Sequence, residues 1–374
     1  MALSVLQLLP ALDVGGVERG TVEIAAALAE RGHRALVVSA GGRLVEELEA
    51  VGGEHLTYPI GAKTLSTLRY IRLLRSVIAT ENIDIVHARS RLPAWIGYRA
   101  LRGLPAGPRP SWVTTVHGPY TVNAYSRIMT SGEQVIAISD FIGDYIRSNY
   151  PGVPASRIRV IPRGIDRRRY PAGYKPPREW LARWREQFPG LRDRRLLVLP
   201  GRLTRWKGQA DFIAMIGELV QRGLPVHGLI VGGAATKRAS FERDLQALVA
   251  AHGLGARVTF LGNRDDLREI LALADIAYSL TVEPEAFGRT TVESLSLGTP
   301  VIGYDHGGTG EILKNVFPSG LVPPRDVGGA VESTCALLAA PVAVPATHAY
   351  SLERMQSDTI ESYERLRENR HQAA

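Results

Sequence analysis

The chain has 374 residues, of which 45% are hydrophobic and 22% charged; this is the composition of a globular protein with room for two domains. Its single cysteine, Cys335, excludes a disulfide within the chain and a metal site of several cysteines, and it favours a reducing compartment. The formal net charge of +8 suits an anionic partner but does not identify one.

The positive charge lies in the first half and in a short middle segment. Residues 1–165 carry an excess of five positive charges and residues 166–195 an excess of six, whereas residues 196–374 carry an excess of three negative charges. Such a surface suits nucleic acid or an anionic membrane. The cations are not interleaved with aromatic side chains as base stacking requires, so no nucleic-acid partner is expected.

The apolar N-terminal run lacks a basic flank and reaches Pro10 and Asp13 too soon for a signal peptide. No apolar run approaches the roughly 20 residues that span a bilayer. The expected location is therefore the cytoplasm.

The first half alternates short β-rich runs with helical stretches, which are clearest at Val17–Arg31 and Thr64–Thr80. This alternation predicts a parallel sheet covered by helices over residues 1–166. The predicted strands are Val5–Leu9, Ala35–Ser39, His55–Ile60, Ile83–Ala88, Trp112–Val116, Gln134–Ile138 and Ile158–Ile161.

Residues 167–195 are dense in Arg, Pro and Trp, which predicts an interdomain connection with one short helix near Glu179–Phe188. The alternation then restarts and predicts a second domain over residues 196–349. Its predicted strands are Leu196–Leu199, Val226–Val231, Val258–Leu261, Ile276–Leu280 and Val301–Tyr304. Its predicted helices are Gln209–Arg222, Phe241–Gly253, Leu267–Leu273, Val292–Leu297 and Val327–Leu338.

The predicted fold class is therefore α/β, with two doubly wound, Rossmann-like domains facing across a cleft. A last helix, about residues 350–369, has no strand partner, and we expect it to pack back on the first domain. Ligands of such sheets bind at the carboxyl ends of the strands, so the residues that follow each strand carry the functional prediction.

A glycine turn with the pattern G-G-x-x-x-G follows the first strand and contains Gly15 and Gly16. The spacing differs from the dinucleotide-binding fingerprint, which argues against a dehydrogenase. The turn is typical either of an anion site at a helix N-terminus or of a simple tight turn. Later strands of the first half are followed by Arg89 and Arg91, by His117, and by Arg163. His117 is open to a structural or a catalytic interpretation.

In the second half, Arg202 and Lys207 flank a glycine-bounded turn after a strand. Two cations with free backbone N–H groups can clamp a diphosphate, although solvated loop cations have the same pattern. The turn that contains Arg264 follows the Val258 strand, and its backbone could hold a base.

The stretch Glu285–Glu293 has two carboxylates and places Gly288 where a loop becomes a helix. Carboxylates there can accept hydrogen bonds from ligand hydroxyls, and the helix N-terminus favours an anion. Ordinary acidic residues at a helix start are the alternative. The combination suits a sugar nucleotide.

Together, Gly15-Gly16, Gly201-Arg202-Leu203 with Lys207-Gly208, and Glu285-x-Phe287-Gly288 with Glu293 resemble the retaining glycosyltransferases of family 4, which have the GT-B fold. The resemblance covers nearly the whole chain. It implies transfer of a sugar from a UDP- or GDP-sugar to a glycan or glycolipid, with retention, without a metal ion or another cofactor, and without a protein nucleophile. The departing phosphate would take the acceptor's proton.

The resemblance also implies roles for individual residues. The catalytic set would be His117, Arg202, Lys207 and Glu285. The donor-binding set would be Gly15, Gly16, Arg202, Lys207, Arg264, Glu285, Phe287, Gly288, Arg289, Thr290 and Glu293. The acceptor-side candidates are Glu18, Arg89, Arg91 and Arg163. Arg163 and Arg289 stand where the family usually has Asn and an apolar residue, and the three acceptor-side arginines suggest an anionic acceptor.

The segment Lys63–Arg75 has leucines and basic residues at helical spacing. It predicts either an ordinary core-facing helix or a helix that lies on an anionic membrane. The leading function is synthesis of a bacterial surface polysaccharide such as lipopolysaccharide, at the cytoplasmic face of the membrane. A nucleotide-sugar epimerase of similar architecture and, less favoured, a basic nucleic-acid-binding protein are the alternatives.

Overall fold

The computed structural model describes residues 2–13, 15–105, 107, 109–233 and 239–373. The chain divides into two compact units. The first runs from the N terminus to Gly164 and includes the C-terminal segment from Leu352 onward, and the second is Ile165–Ser351. Both are α/β units built on a parallel sheet, as the alternating sequence pattern predicts.

The first unit contains a seven-stranded parallel sheet in the order β3-β2-β1-β4-β5-β6-β7. The strands are β1 (Ser4–Leu8), β2 (Arg34–Ser39), β3 (Glu54–Thr57), β4 (Ile85–Ala88), β5 (Ser111–Val116), β6 (Gln134–Ala137) and β7 (Ile158–Val160). All seven lie where the sequence predicts a strand, with shifted ends. The prediction that β3 continues to Ile60 is wrong, because Pro59 has no N–H for a ladder hydrogen bond.

The helices of this unit that precede residue 164 are α1 (Gly16–Glu30), α2 (Val45–Ala50), α3 (Arg69–Thr80), α4 (Arg91–Arg102) and α5 (Asp140–Asn149). The predicted helix Thr64–Thr80 is interrupted, because Leu65–Leu68 forms a 3-10 turn before α3. The Thr67 hydroxyl donates to the carbonyl of Ala62 at 2.6 Å. Local hydrogen bonds of this kind compete with regular helix at its start.

The second unit contains a six-stranded parallel sheet in the order β10-β9-β8-β11-β12-β13. Its strands are β8 (Arg195–Pro200), β9 (Val226–Val231), β10 (Val258–Gly262), β11 (Ile276–Ser279), β12 (Val301–Tyr304) and β13 (Leu321–Val322). Its helices are α6 (Arg178–Gln187), α7 (Gln209–Gln221), α8 (Ala239–Ala251), α9 (Leu267–Leu273), α10 (Arg289–Leu297), α11 (Gly307–Val316) and α12 (Val327–Ala339). The sequence did not predict β13, because two residues are too few to show the alternation of apolar and polar side chains that marks a strand. It also did not predict α11, because the glycine-rich start of this helix is typical of a loop.

Residues 167–195, the predicted interdomain connection, belong to the second unit. The backbone N–H of Gly173 donates to the carbonyl of Leu297 at 3.0 Å, and the Trp180 indole donates to Asp266 at 2.7 Å. The segment therefore packs on α10 and the start of α9, and it contains α6, which confirms the predicted short helix near Glu179–Phe188.

The last helix, α13 (Leu352–Ala373), completes the core of the first unit. Met355, Ile360 and Tyr363 are buried among the apolar residues that also hold α1 and the sheet. The Tyr363 hydroxyl lies 2.6 Å from Nδ1 of His87 on β4. The helix thus covers one face of the sheet through apolar burial and a buried polar contact.

The strand order reverses between β1 and β4 in the first sheet and between β8 and β11 in the second. In open parallel sheets, ligands bind outside the carboxyl ends of the strands at such a reversal. These two reversals therefore position the candidate site residues.

Candidate active site

At the reversal of the second sheet, Lys207 and Glu285 form an ion pair. Lys207 follows β8 and Glu285 follows β11, and Nζ lies 2.7 Å from Oε1, with side-chain exposures of only 14% and 19%. The ammonium also lies 4.4 Å from the centre of the Trp206 ring. Arg202, from the same loop as Lys207, is exposed. Two cations and one carboxylate from the predicted set therefore come from adjacent strands.

The loop that carries Lys207 depends on Gly208. This residue has a φ of 74° at the N-cap of α7, in the left-handed region that favours glycine. A Cβ atom built there would lie 1.8 Å from the carbonyl oxygen of Leu280. The backbone N–H of Val282 also donates to the carbonyl of Trp206 at 2.8 Å. Close backbone packing therefore fixes the Lys207 loop against the Glu285 loop.

The N-terminus of α11 supports Glu285 from the other side. The backbone N–H of Gly308 donates to the Glu285 carbonyl at 2.7 Å, and Nε2 of His306 lies 2.5 Å from the carbonyl of Thr281. These residues were not predicted from the sequence. Their signal is the run His306-Gly-Gly-Thr-Gly310, two residues after β12, a glycine turn of the same kind as the one that follows β1.

Glu293 lies inside the first turns of α10, which begins after Gly288. Its side chain is 8% exposed and accepts a hydrogen bond from Nε of Arg289 at 3.0 Å, and the Tyr170 hydroxyl also bonds to it. Burial raises the pKa of Glu293, and Arg289 opposes that rise. Burial also raises the pKa of Tyr170 to about 12. Tyr170 comes from the segment that the sequence pattern assigned to an interdomain connection, so it was not predicted as a site residue.

The remaining predicted donor-binding residues differ in how they face solvent. The Phe287 ring is buried and packs edge-on against Tyr350, with 5.8 Å between ring centres, so a ligand could reach only its backbone. Thr290 is half-buried. Arg264 donates two hydrogen bonds to Asp266, at 2.8 and 2.7 Å, and this pair stabilises the turn after β10.

In the first unit, His117 follows β5 and contacts Arg163, which follows β7. The guanidinium of Arg163 lies 2.9 Å from Nδ1 of His117. Because arginine only donates, Nδ1 accepts, and the proton of the neutral ring is on Nε2. Burial lowers the pKa of His117 well below its ordinary value, and the nearby charges of Arg163 and Arg89 lower it further. His117 is therefore a neutral hydrogen-bond donor through Nε2.

The Nε2 atom of His117 is buried and has no hydrogen-bond partner within the described part of the chain. A cavity of about 20 Å³ lies among His117, Arg89, Arg163 and His87, which is enough for one water molecule. A buried donor without a partner is costly in a folded protein. This N–H is therefore available to a ligand oxygen or a water molecule.

Arg89 and Arg163 are buried, with exposures of 5% and 7%. Nε of Arg89 donates to Gln7 at 2.8 Å, and a Cβ atom at Gly20 of α1 would collide with the Arg163 guanidinium. Arg91 lies nearer the surface and stacks over the rings of Tyr120 and Tyr125, at 4.9 and 5.4 Å. Of the three acceptor-side arginines, Arg91 is thus the most accessible to a ligand.

Gly15 is the N-cap of α1, and Gly16 is the first residue of the helix. A Cβ atom at Gly16 would meet nothing within 4 Å, whereas one at Gly15 would collide with the carboxylate of Glu18. The space at Gly16 is therefore open to a ligand, and Glu18 folds back over the turn.

Among the described residues, no group of three His, Cys, Asp or Glu side chains could hold a metal ion.

Comparison with known families identifies the family of the chain. The family model described as Glycosyltransferase Family 4 matches residues 14–169, and the model described as Glycosyl transferases group 1 matches residues 182–341. The chain belongs to the family-4, group 1 glycosyltransferases of the GT-B type. This membership favours sugar transfer over the epimerase and nucleic-acid alternatives.

Several known proteins resemble this glycosyltransferase over almost its whole length. A glycosyltransferase from Rickettsia africae has a similar structure, with a TM-score of 0.85, 27% identity and 98% of each chain covered. Anabaena Alr3699/HepE in complex with UDP and glucose gives a TM-score of 0.79 at 22% identity, covering 97% of this chain and 99% of that one. These similarities confirm the predicted fold of two Rossmann-like units.

Two further relatives have functions stated in their names. The N-acetyl-alpha-D-glucosaminyl L-malate synthase of Bacillus anthracis is 25% identical over 344 residues, which are 87% of this chain and 85% of that protein. WaaG, a glycosyltransferase involved in lipopolysaccharide biosynthesis, has a TM-score of 0.66 at 18% identity, with 98% of each chain covered.

Proposed function

We propose that this glycosyltransferase transfers a sugar from a UDP- or GDP-sugar to an anionic acceptor, with retention of the anomeric configuration and without a metal ion or another cofactor. The observation that carries the proposal is the Lys207–Glu285 ion pair beside the exposed Arg202. A diphosphate needs cations, and the hydroxyls of a sugar need a carboxylate, so one donor molecule can engage all three side chains. The presence of UDP and glucose in the complex of the Anabaena relative supports a nucleotide sugar.

In this mechanism Lys207 and Arg202 hold the diphosphate and stabilise the charge that develops on it as the glycosidic bond breaks. Glu285 orients the sugar through its hydroxyls. Glu293 binds the ribose, and Arg289 and Tyr170 hold its carboxylate in place. The backbone N–H groups at the start of α10 favour the negative phosphate.

The acceptor oxygen attacks from the same face as the departing phosphate, which takes the acceptor's proton, so no protein nucleophile is needed. His117, neutral and with its proton on Nε2, donates a hydrogen bond to a substrate oxygen. Its role is to bind and orient the substrate rather than to transfer a proton, because its lowered pKa favours the neutral ring at pH 7.

We assign the anionic acceptor to Arg91, with Arg89, Arg163 and Glu18 shaping the surroundings. Arg91 lies at the start of α4 and contacts two tyrosine rings, so its guanidinium is oriented before a ligand binds. The relative named as a glucosaminyl L-malate synthase supports this proposal, because malate is a dicarboxylate.

We also propose work on a bacterial surface polysaccharide such as lipopolysaccharide, at the cytoplasmic face of a membrane; the relative WaaG supports the pathway. Leu65 and Leu68 are 88% and 57% exposed, beside the exposed cations Lys63 and Arg72. Apolar and basic side chains together bind anionic lipid surfaces. Among the described helices, none is long and apolar enough to cross a bilayer.

The first test is thermal stabilisation by UDP, GDP, ADP, CMP and their sugars, with and without EDTA. A ligand that binds only the folded state raises the melting temperature by mass action. We expect a shift with one nucleoside diphosphate that survives EDTA and is lost in Lys207→Ala and Glu293→Ala. An absence of shifts with every nucleotide contradicts the donor site, and a shift abolished by EDTA contradicts metal independence.

The second test is the product itself. Donor and acceptor candidates are incubated together, and the anomeric configuration is read from the proton coupling constant by NMR. Retained configuration supports the proposal, and inverted configuration overturns it. Incubation of the donor alone separates transfer from epimerisation, because an epimerase converts the donor without an acceptor.

A further inference from the structure

The second unit contains a cavity of about 620 Å³ that the donor mechanism does not use. It lies beside α6 and the residues that precede β8, and it is lined by Arg195, Pro225 and Asp275, which stand at the amino-terminal ends of β8, β9 and β11. Its volume falls within the range of about 300–1,000 Å³ that is typical of small-molecule sites.

The cavity is separate from the proposed donor site. Lys207 and Glu285 follow the carboxyl ends of β8 and β11, whereas this cavity lies at the opposite ends of the same strands. A strand of six residues spans about 20 Å. A small molecule bound here therefore cannot also occupy the donor diphosphate clamp.

One wall of the cavity is aromatic and firmly packed. Trp184 and Phe188 line it; the Trp184 ring stacks on Trp180, with 5.1 Å between ring centres, and lies 4.5 Å from the centre of the Phe188 ring. Because these rings fix one another, the wall is already formed before any ligand arrives. Trp184 is buried and supports Phe188 from behind, whereas the half-buried Phe188 offers the apolar surface against which a flat or apolar body can pack.

The charged side chains around this wall are predominantly positive. Four arginines and two aspartates line the cavity, a formal excess of two positive charges. Arg195 is paired with Asp275 at 2.9 Å, and Asp275 also accepts from the backbone N–H of Leu196 at 2.7 Å. The other lining charges are Arg185, Arg192, Arg194 and Asp193.

None of Arg185, Arg192 and Arg194 makes a side-chain ion pair with another residue of the described ranges. Three arginines outside the Arg195–Asp275 pair therefore line one cavity, with Asp193 as the further carboxylate of the lining. Arginine forks bind the oxygens of phosphate in pairs. The excess of positive charge favours binding of an anion, and the aromatic wall favours an anion that also has an apolar part.

We propose that this cavity binds a small organic phosphate, with the phosphate held by Arg192 and Arg194 and the apolar body packed on the half-buried Phe188 ring. This is a second ligand site, distinct from that for the nucleotide sugar.

The test uses phenyl phosphate as the probe, because it combines one phosphate with one ring. Binding to the full chain is measured by isothermal titration calorimetry at low salt. We expect the double variant Arg192→Glu/Arg194→Glu to bind at least about tenfold more weakly, since two attractive charges become repulsive. The control Arg178→Glu/Arg183→Glu makes the same charge change at exposed positions that do not line the cavity, and we expect it to retain most of the affinity.

Two further measurements test whether phenyl phosphate binds in this cavity and whether its phosphate is needed for binding. Lys207→Ala should leave phenyl phosphate binding unchanged, and neutral benzyl alcohol should bind much more weakly than phenyl phosphate. The proposal is overturned if Arg192→Glu/Arg194→Glu binds phenyl phosphate as well as the unchanged chain does. It is also overturned if Lys207→Ala alone abolishes binding, because the probe then occupies the donor site. Melting temperatures of all variants establish that each one folds.

Discussion

Lys207 and Glu285 are 78 residues apart in the chain, and their side chains meet at 2.7 Å. The loops that carry them follow neighbouring strands at the reversal of the second sheet. Each side chain compensates the charge of the other in a place that is largely withdrawn from water. A donor that brings both a diphosphate and a sugar can replace this pair with two new contacts.

Lys207→Ala and Glu285→Gln should therefore distinguish binding of the donor's diphosphate from binding of its sugar. Lys207→Ala removes the cation, and we expect weaker binding of both the free nucleoside diphosphate and the nucleotide sugar, with kcat reduced about 100-fold or more. Glu285→Gln should weaken only the nucleotide sugar, because the diphosphate keeps Lys207. Calorimetry with both ligands and steady-state kinetics measure this. Lys175→Ala, which changes an exposed lysine of the same unit, is the control, and equal losses in Lys207→Ala and Lys175→Ala would contradict the assignment.

His117→Ala should lower kcat by about 10- to 100-fold, because it removes the Nε2–H donor, whereas His117→Gln should retain part of the activity by offering an amide N–H. The lowered pKa keeps the His117 ring neutral between pH 6 and 8. We therefore expect kcat of the unchanged enzyme and of His117→Gln to depend on pH in the same way over this range. A step in kcat that disappears in His117→Gln would show that His117 titrates in this range and transfers a proton.

The same histidine should make the fold less stable in acid. Its pKa is lower in the folded state than in the unfolded chain, where it is about 6.5, so the unfolded state binds more protons below that pH. The stabilisation is complete above pH 6.5 and is lost as the pH falls toward the folded-state pKa. Urea unfolding between pH 7.5 and 5 measures it, and His117→Gln should make this dependence less steep; burial also lowers the pKa of His87, which supplies part of the remaining slope. An unchanged slope in that variant contradicts the burial argument.

Gly208→Ala should destabilise the protein more than Gly223→Ala does. Both glycines have positive φ angles, 74° and 82°, but a Cβ atom at Gly208 would lie 1.8 Å from a backbone oxygen, whereas one at Gly223 would meet nothing within 4 Å. Gly223→Ala thus reports only the left-handed backbone, about 1–2 kcal/mol. We expect an additional cost of about 1–3 kcal/mol for overpacking in Gly208→Ala, measured by urea unfolding. Equal losses would show that the contact with Leu280 relaxes freely.

Leu65→Ser/Leu68→Ser should reduce binding to vesicles of phosphatidylglycerol and phosphatidylcholine by about tenfold or more, because burial of each leucine contributes about 1.5–3 kcal/mol. The control is Val342→Ser, an exposed apolar residue of the second unit. Sedimentation with vesicles measures the bound fraction. Equal binding by both variants would mean that this surface does not face the membrane.

Local sequence alone was enough for β1 to β12 and for the glycine turns that follow β1 and β8, but not for β13 or for the glycine turn after β12. The run from Leu196 to Leu199 and the turn at Gly201 and Gly208 carry their own signal, because burial sets the apolar pattern and a left-handed backbone favours glycine. The family resemblance rests on the same short motifs. The sequence therefore determined two parallel-sheet units and, through the family resemblance, made sugar transfer the leading function among the alternatives.

The tertiary structure decided which side chains meet and how far each is withdrawn from water. Arg89 and Arg163 have the sequence pattern of exposed cations, yet they lie inside the first unit, where Arg163 determines which nitrogen of His117 is protonated. Tyr170 reaches Glu293 from a segment that the sequence assigned to a connection. These contacts join residues far apart in the chain, so they depend on the order of the strands and on the packing between elements, which no local pattern encodes.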